Sequence, residues 1–294
     1  MSFNLPYYRE SYLLPGPLPE QHEIEQATKI LPTTHSPASG DRIVVVRDLY
    51  VVKYGPTVSE NEGHVLRYIE QDLSVPAPRL HAMYQKGTKL YLVMDYIPGV
   101  TLGEVWNTLS DTSKTFLLAQ LRAVFECMRA IPVPGFYGSV TQGPVPHSFF
   151  LPPIEDPDIS GPFDEEVDFS RAIALRANQM CNDGGATWWP CEFLLRNLPE
   201  ALQCHQPVFT HGDLQRENII LTKVINTSSG TEEYQVIAVV DWESAGWYPN
   251  YWEYACIFPG FKWNDDWPTS VEKIIDALPL EGTLMAFVHE HFGF

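Results

Sequence analysis

The sequence predicts an α+β fold with two lobes, because a strand-rich first third precedes a mostly helical remainder. The run RIVVVRDLYVVKYG contains two β-rich segments, residues 43–46 and 49–52, on either side of the turn signal Arg47-Asp48. Later in the chain, TSKTFLLAQLRAVFECMRAI repeats its apolar residues at the spacing of an amphipathic helix. We find no internal repeat, so we expect one sheet-containing lobe followed by one helical lobe.

Changes in composition divide the chain into three consecutive parts. Residues 1–40 are rich in Pro, Ser and Thr and read as an extension, in which Glu20–Leu31 is compatible with a short helix. Residues 41–97 combine predicted strands with one helix and form the expected N-lobe. Residues 98–294 follow a Pro-Gly break and hold the further helices of the expected C-lobe.

Composition indicates a globular protein in a reducing compartment. Hydrophobic residues make up 45% of the 294 residues, which is enough to bury a sizeable core. The chain has neither a run of about 18 apolar residues nor a basic segment followed by an apolar one at its start, so we expect no membrane span and no secretory signal. The five cysteines include no C-x-x-C pair, which argues against a disulfide framework and favours the cytoplasm.

The formal net charge of −18 limits the classes of binding partner. So acidic a chain would repel nucleic acid and anionic membranes, and we expect neither as a partner. A cationic small molecule fits the charge better, although solubility alone would also explain it. The sequence leaves the oligomeric state open.

The stretch THGDLQRENIIL concentrates polar residues directly before a predicted strand. Two predicted strands, IILTK and YQVIAVVDW, flank the turn NTSSG. If these strands pair antiparallel, Asn218 and Asp241 lie at the same edge of the hairpin, and Asp213 lies in the loop that enters it. Carboxylate and amide oxygens converging there would suit Mg²⁺. The same residues also fit turn formers and a helix cap, so taken alone they leave both interpretations open.

A lysine and a glutamate in the first third of the chain could add a phosphate-binding group to such a metal site. Lys53 ends the predicted strand VVK, and Glu62 lies in the first turn of the next helix, where it would also complete a capping box with Ser59. The apolar residues Leu66 and Ile69 lie near the face of Glu62, so its carboxylate is expected to point inward. A lysine held by a carboxylate can direct its ammonium at phosphate oxygens. An ordinary surface ion pair is the alternative.

These motifs together resemble a known family. HGDLQRENII resembles the H-G-D-x-x-x-x-N catalytic loop of the aminoglycoside phosphotransferase and choline kinase relatives of the protein kinases. VVDWE resembles their metal-binding segment, VVKYG their lysine strand, SENEGHVLRYI their lysine-pairing helix and YLVMDYIPG their hinge. The resemblance covers about residues 40–260, is greatest with the fungal branch, and implies a two-lobed, protein kinase-like fold.

The resemblance implies a kinase that uses ATP and Mg²⁺. Asp213 would accept or orient the proton of the acceptor hydroxyl as it attacks the γ-phosphate. Asn218 and Asp241 would hold the Mg²⁺ ions. Lys53 would contact the α- and β-phosphates, and Glu62 would position it.

The resemblance also assigns the residues around the adenine and the catalytic loop. The backbone around Met94, Tyr96 and Ile97 would bind the adenine. His211 is expected to be a scaffold residue of the catalytic loop, and Glu253 to brace that loop through backbone N–H groups.

The chain departs from the kinase pattern in two places. No G-x-G-x-x-G precedes the lysine strand, and the segment Thr34–Asp41, with Ser36, Ser39 and Gly40, is the candidate to cover the phosphates. Gln215 stands two residues after the catalytic aspartate, where protein Ser/Thr kinases carry Lys, and no A-P-E segment follows. These differences favour a small-molecule acceptor over a protein.

The acceptor site is predicted from aromatic and acidic residues near the C-terminus. Such a wall would suit an amine-bearing substrate, but the same residues also fit a core. The candidates are Trp242, Glu243, Trp247, Tyr248, Trp252, Phe261, Trp263, Asp265, Asp266 and Trp267.

The first alternative to a kinase is a pseudokinase or nucleotide-binding module. A binding role would need few of the predicted catalytic residues, so the presence of all of them argues against it. These residues are Lys53, Glu62, Asp213, Asn218 and Asp241. A metal-dependent hydrolase is the second, and it leaves Lys53, Glu62 and the hinge unexplained.

Overall fold

The computed structural model describes residues 3–32, 39–150, 156–183, 189–225, 230–257 and 264–292, without the side chains of residues 181–183. The chain divides into two compact units. One unit, here the sheet unit, comprises Met1–Leu109 and Arg216–Glu243, and the other, the helical unit, comprises Ser110–Gln215 and Ser244–Phe294. The units interleave in sequence, whereas the three consecutive parts expected from composition remain predictions.

Both units contain strands, but most strands belong to the sheet unit. The strands are β1 (Tyr7–Tyr8), β2 (Lys29–Leu31), β3 (Arg42–Val46), β4 (Tyr50–Gly55), β5 (Leu80–Lys86), β6 (Lys89–Asp95), β7 (Val100–Thr101), β8 (Pro207–Thr210), β9 (Ile219–Ile225), β10 (Glu232–Val239) and β11 (Gly246–Pro249).

The longer helices, with the exception of α2, lie in the helical unit. The helices are α1 (Gln21–Glu25), α2 (Glu60–Asp72), α3 (Leu102–Val105), α4 (Asp111–Arg129), α5 (Pro157–Ser160), α6 (Glu166–Asp183), α7 (Trp189–Ala201), α8 (Trp252–Ile257), α9 (Trp267–Val271) and α10 (Pro279–Phe292). Within the described ranges, no helix combines the length and the apolar composition that a membrane crossing requires.

The main sheet of the sheet unit is antiparallel, with the strand order β1-β5-β6-β4-β3-β2. The predicted β3–β4 hairpin is confirmed, and Arg47 and Asp48 form its turn with positive φ angles of 57° and 53°. Two successive left-handed residues give the turn a twist that matches that of paired strands. The hairpin places β4 between β3 and β6, at the centre of the sheet.

The N-terminal residues form the two edges of this sheet. Strand β1 pairs with β5, and β2 pairs with β3. Between these strands, the short helix α1 buries Ile24 against a cluster that includes Val44 and Val52. The expected helix at Glu20–Leu31 is therefore confirmed only for Gln21–Glu25, because Lys29–Leu31 pairs with β3 as a strand.

The helical unit is built around aromatic residues. Helices α6, α7, α8 and α10 contribute to one core, in which Phe169 and Trp252 make an edge-to-face contact at 5.2 Å. Strand β8 pairs antiparallel with β11, so that Thr210 lies opposite Gly246. This pairing fixes the end of β8, from which the predicted catalytic loop departs.

Candidate active site

Lys53 lies at the centre of a cluster of carboxylates in the sheet unit. It is on β4, where neighbouring strands place it opposite Ile43 and Leu92, and its side chain is only 5% exposed. The Nζ atom lies 3.0 Å from Glu62 Oε2, 2.8 Å from Asp241 Oδ1 and 2.7 Å from Glu243 Oε2. The structure thus brings together the predicted Lys53, Glu62 and Asp241, and it adds Glu243.

Three carboxylates surround one ammonium, so the cluster has excess negative charge. Burial alone would lower the pKa of Lys53, but the charges of Glu62, Asp241 and Glu243 raise it well above its ordinary value. Burial also raises the pKa of Glu62 to about 7, although Lys53 acts to lower it. The Lys53 ammonium therefore stays charged, and Glu62, the most buried of the three carboxylates, is the one whose ionised form is destabilised.

Helix α2 presents Glu62 to Lys53. Ser59 caps the helix by accepting a hydrogen bond from the Asn61 N–H at 3.1 Å, as predicted. The predicted capping box is wrong, because Glu62 points to Lys53 and not back to the N-cap. Gly63 allows the helix to approach the sheet, since a Cβ atom there would lie 2.5 Å from the Sδ atom of Met83 on β5.

The hairpin of β9 and β10 brings Asn218 and Asp241 to one edge, as predicted. Val239 pairs with Ile219, and the Val240 N–H donates to the Asn218 carbonyl at 2.9 Å. Asp241 follows with a φ of +65°, a left-handed conformation that Asp tolerates better than most residues. This backbone reversal directs the Asp241 carboxylate to Lys53.

Glu243 is a site residue whose contact with Lys53 the sequence did not predict. Trp242 is fully buried and donates from Nε1 to the Val239 carbonyl at 2.8 Å, so its neighbours on either side project away from the core. The side-chain amide of Asn61 donates a hydrogen bond to the backbone carbonyl of Glu243 at 2.9 Å, and this bond connects α2 to the segment. The sequence shows D-x-E spacing here, but the left-handed Asp241 interrupts the extended backbone, so strand alternation does not predict where the Glu243 side chain points.

Oxygen atoms of Glu62, Asp241 and Glu243 lie within 4.8 Å of one another. Hard carboxylate oxygens in such a group fit the preferences of Mg²⁺. Asn218 contributes its backbone to the same edge. The donor set is therefore chemically suitable for the metal that the sequence predicted.

The predicted hinge follows β6. The Asp95 N–H donates to the Arg79 carbonyl at 3.1 Å, and the Tyr96 N–H donates to the Leu49 carbonyl at 2.9 Å. The Tyr96 hydroxyl accepts from Lys29 at 2.8 Å. Among the residues that the structure describes, no acceptor lies within hydrogen-bond distance of the Ile97 N–H, and the binding of adenine by this backbone remains a prediction.

The side chain of Asp95 is held by two basic residues. It accepts from Arg79 Nε at 2.8 Å and from His81 Nε2 at 2.6 Å. Burial would raise the pKa of Asp95, but the hydrogen bonds from His81 and Arg79 hold it below its usual value. His81 is fully buried at a bulge of β5, between Leu80 and Ala82. The bulge aims its ring at the hinge.

The predicted catalytic loop lies in the helical unit, directly after β8. The Asp213 N–H donates to His211 Nδ1 at 3.2 Å, and this agrees with the scaffold role expected for His211. The Gln215 amide donates to Asp213 Oδ1 at 2.6 Å. Gly212 has a φ of +80°, and a Cβ atom there would lie 2.9 Å from the Ser244 carbonyl oxygen. Gln215 thus orients the Asp213 carboxylate, and His211 fixes the Asp213 backbone.

Glu253 braces this loop, as predicted. It is fully buried on α8, and its Oε2 atom accepts from the backbone N–H groups of His211 at 2.8 Å and Gly212 at 3.4 Å. A carboxylate that accepts backbone N–H groups forms charge-assisted hydrogen bonds. The loop is therefore anchored to the core of the helical unit.

The predicted aromatic acceptor wall is wrong for the residues that the structure describes. The aromatic candidates that the structure describes are at most 5% exposed and belong to the core. A large ring buries more apolar area when it packs among other residues than when it lines an open binding site. The acidic pair is used structurally, since Asp266 pairs with Lys114 at 2.9 Å and Asp265 accepts from the Trp267 N–H at 3.1 Å. Phe261 and Trp263 lie outside the described residues. The core residues are Trp242, Trp247, Tyr248, Trp252 and Trp267.

The predicted phosphate-covering segment is only partly described. Residues 33–38, including Ser36, lie outside the described ranges. Ser39 Oγ accepts from the Asp41 N–H at 3.2 Å, and Gly40 has a φ of +81°. The role of the segment remains a prediction.

The profile of the phosphotransferase enzyme family matches residues 39–282, so the chain belongs to this family. No functionally curated protein matches the chain by sequence. The family resemblance expected from the motifs is therefore confirmed.

Solved aminoglycoside phosphotransferases share the fold. APH(2")-IIa in its ternary complex with streptomycin and ATP is 14% identical, with a TM-score of 0.56 over 90% of this chain and 83% of that one. The gentamicin complex of APH(2")-IIa is 13% identical, with a TM-score of 0.57 over 90% and 81%. ADP-bound APH(2'')-Ib is 15% identical, with a TM-score of 0.54 over 88% and 79%. These similarities confirm the kinase-like α+β fold.

Proposed function

We propose that the chain transfers the γ-phosphate of ATP, with Mg²⁺, to a hydroxyl group of a small, cationic molecule. Membership of the phosphotransferase family supports group transfer to a small molecule. The observation that carries the finer proposal is the buried Lys53 ammonium among Glu62, Asp241 and Glu243, all within 3.0 Å. A structural ion pair would need one carboxylate, whereas a phosphate and metal site needs a lysine and several oxygen ligands.

Lys53 would contact the α- and β-phosphates, held by Glu62. The Ile97 N–H would donate to the adenine, because the Tyr96 N–H is already bonded to the Leu49 carbonyl. Met94, which is 6% exposed, would supply apolar contact to the adenine beside the hinge. ATP and ADP occur in the complexes of two similar proteins, which supports an adenine nucleotide here.

Asp241, Glu243 and Asn218 would hold the metal. The chemistry that Mg²⁺ would supply there is neutralisation of the phosphate charge. In the structure, Asp241 and Glu243 both form ion pairs with the Lys53 ammonium. A bound metal would therefore share these carboxylates with Lys53.

Asp213 would accept the proton of the acceptor hydroxyl. Its Oδ1 atom already receives the Gln215 amide at 2.6 Å, and its backbone is tied to His211. A carboxylate with a fixed orientation can meet a hydroxyl without first losing rotational freedom. His211 and Glu253 would support the loop without touching the reacting atoms.

The charge of the helical unit supports a cationic acceptor. Its sequence ranges contain 20 Asp and Glu residues against 8 Lys and Arg residues, so it carries most of the net charge of the chain. Such a unit would attract amine-bearing molecules. Similar proteins were solved with streptomycin or gentamicin, and we propose an acceptor of comparable amine character.

A reducing, cytoplasmic location is part of this proposal. Among the described residues, the cysteines Cys127, Cys191, Cys204 and Cys256 are free thiols. Free thiols are the usual state in a reducing compartment, where ATP is also available.

Thermal unfolding with ATP plus Mg²⁺, compared with each alone, tests the proposal. A ligand at 100 times its dissociation constant should stabilise the fold by about 2.7 kcal/mol. We expect the full shift only when both are present, and a much smaller shift for Lys53→Met. No shift of the wild type at millimolar MgATP would contradict the proposal. Panels of amine-bearing alcohols, including aminoglycosides, would then identify the acceptor by ADP release.

A further inference from the structure

Arg9 connects the first described residues of the chain to two elements of the nucleotide site. Its backbone N–H donates to the His81 carbonyl at 2.8 Å, and its Nε atom donates to the Leu80 carbonyl at 2.9 Å. Its guanidinium also forms an ion pair with Glu70 on α2. The Arg9 side chain is only 6% exposed, so these contacts are shielded from water.

One side of this connection leads to the hinge. Leu80 and His81 are the residues of the β5 bulge, and both of their carbonyls bond to Arg9. The same bulge places His81 Nε2 2.6 Å from Asp95 Oδ1. Asp95 is the last residue of β6, here called the hinge strand because the hinge follows it. Arg9 therefore fixes the bulge that orients the hinge.

The other side leads to Lys53. Glu70 and Glu62 lie on the same helix, eight residues or about 12 Å apart along its axis. Burial would raise the pKa of Glu70, but the hydrogen bond from Arg9 and the charges of Arg9 and Arg67 lower it. Glu70 is thus ionised and paired with Arg9. Because Arg9 also bonds to β5, the ion pair connects α2 to that strand.

Neighbouring aromatic contacts strengthen the same link. The ring of Phe3 lies 4.4 Å from that of His64, and the Arg67 guanidinium lies 5.3 Å from the ring of Tyr7. His64, Arg67 and Glu70 share one face of α2 at helical spacing. The segment Phe3–Arg9 therefore packs along α2 on a face that is separate from the contact of Glu62 with Lys53.

We propose that Arg9 is a positioning residue for the nucleotide site, which couples helix α2 and the hinge strand through the Glu70 ion pair and the β5 bulge. This inference rests on the proposed function, because it assumes that the Lys53 cluster and the hinge bind one nucleotide. Arg9 itself would contact neither the nucleotide nor the metal. Its effect would reach the nucleotide through Glu62 on one side and Asp95 on the other.

The test is a double-mutant cycle, with MgADP affinity measured by titration calorimetry on the full chain. Arg9→Ala should weaken MgADP binding about three- to tenfold. In a Glu62→Gln background, Arg9→Ala should cost less than this, because part of its path to Lys53 is already broken. Arg9→Lys should be intermediate, since Lys can pair with Glu70 but cannot also supply a rigid Nε donor to Leu80.

Two further variants guard against misinterpretation. Arg47→Ala is the matched control, because it removes a similar arginine–glutamate pair, with Glu23, elsewhere in the sheet unit. It should leave MgADP affinity unchanged within about twofold. If Arg9→Ala does not fold, Glu70→Gln tests the same link from the helix side and should also weaken MgADP binding.

The outcomes separate this inference from the proposed function. Wild-type chain that binds no MgADP would overturn both. Wild-type binding that Arg9→Ala and Glu70→Gln leave unchanged would overturn the inference alone. Equal losses from Arg9→Ala with and without Glu62→Gln would also overturn it, because they would mean that Arg9 does not act through Glu62.

Discussion

The Nζ atom of Lys53 lies 2.7 Å from Glu243 Oε2, closer than the 3.0 Å that separates it from its predicted partner Glu62. Glu243 is also less buried than Glu62, since its side chain is 23% exposed against 4%. The two carboxylates therefore differ in their distance from the Lys53 ammonium and in their access to solvent. Glu62 is placed to hold Lys53, and the more accessible Glu243 can also face an incoming cation.

Replacing Glu243 by Gln should weaken MgADP binding by about 10–100-fold, as expected for the loss of a metal-site carboxylate. Binding of ADP in excess chelator should be unchanged or stronger, because the substitution removes a negative charge near the phosphates. Titrations of ADP with and without Mg²⁺ measure both effects. Glu60→Gln, which removes an exposed carboxylate at the start of the same helix α2, is the matched control. Equal losses with and without Mg²⁺ would rule out a metal-binding role for Glu243.

The sequence was sufficient for the residues whose position depends on local pattern. The antiparallel pairing of β9 and β10 follows from two β-rich segments around a turn, and it brings Asn218 and Asp241 together. Inward orientation of Glu62 likewise follows from the apolar neighbours on its helix face.

The sequence was insufficient where long-range packing decides. Glu243 points to Lys53 because the left-handed Asp241 reverses the chain and Trp242 is anchored in the core, and neither feature can be read from residue pattern. Trp247 and Trp252 are core residues because of packing between elements distant in sequence. Strand β2 escaped prediction because its partner β3, and not its own composition, makes it a strand.

Asp241→Ala should remove the Mg²⁺ dependence of nucleotide binding, because it deletes a central oxygen ligand. At its φ of +65°, Ala also adds backbone strain of about 1 kcal/mol. Asp241→Asn separates the two effects, since Asn tolerates this conformation but loses the charge. Measuring ADP affinity across a Mg²⁺ series should give flat curves for both variants. A curve that keeps the slope of the wild type would move the metal site elsewhere.

Asp213→Asn should lower phosphate transfer by about 10²–10⁴-fold, the usual contribution of a general base. MgATP affinity should stay within about twofold, because Asp213 is expected to act on the acceptor and not on the nucleotide. ADP release in the presence of acceptor and nucleotide titration measure the two quantities. Gln215→Ala, which leaves the carboxylate but removes its donor at 2.6 Å, should cause a smaller loss of rate. Unchanged turnover in Asp213→Asn would mean that another group takes the proton.

Loss of Glu253 should destabilise the helical unit and the catalytic loop together. Glu253→Ala leaves the buried N–H groups of His211 and Gly212 without their acceptor, at a cost of about 1–3 kcal/mol for each. Glu253→Gln keeps an amide oxygen as acceptor and should cost much less. Urea unfolding and transfer rate should both be measured, and a Glu253→Ala variant as stable as the wild type would contradict the bracing role.

Stability in the absence of metal should fall as the pH rises from about 4.5 to about 7, because of Glu62. Its pKa rises from 4.5 to about 7 on folding, so between these values the folded chain binds more protons than the unfolded chain. The free energy of unfolding contributed by this group should therefore decrease, by up to about 3 kcal/mol, and level off above pH 7. Other carboxyl groups also titrate in this range, so the informative quantity is the difference from Glu62→Gln, which cannot ionise. Urea unfolding at pH 5 and 7.5 with chelator should give a steeper decrease for the wild type than for Glu62→Gln. Equal decreases in the two chains would show that Glu62 is already ionised at pH 5, and that the Lys53 charge outweighs its burial.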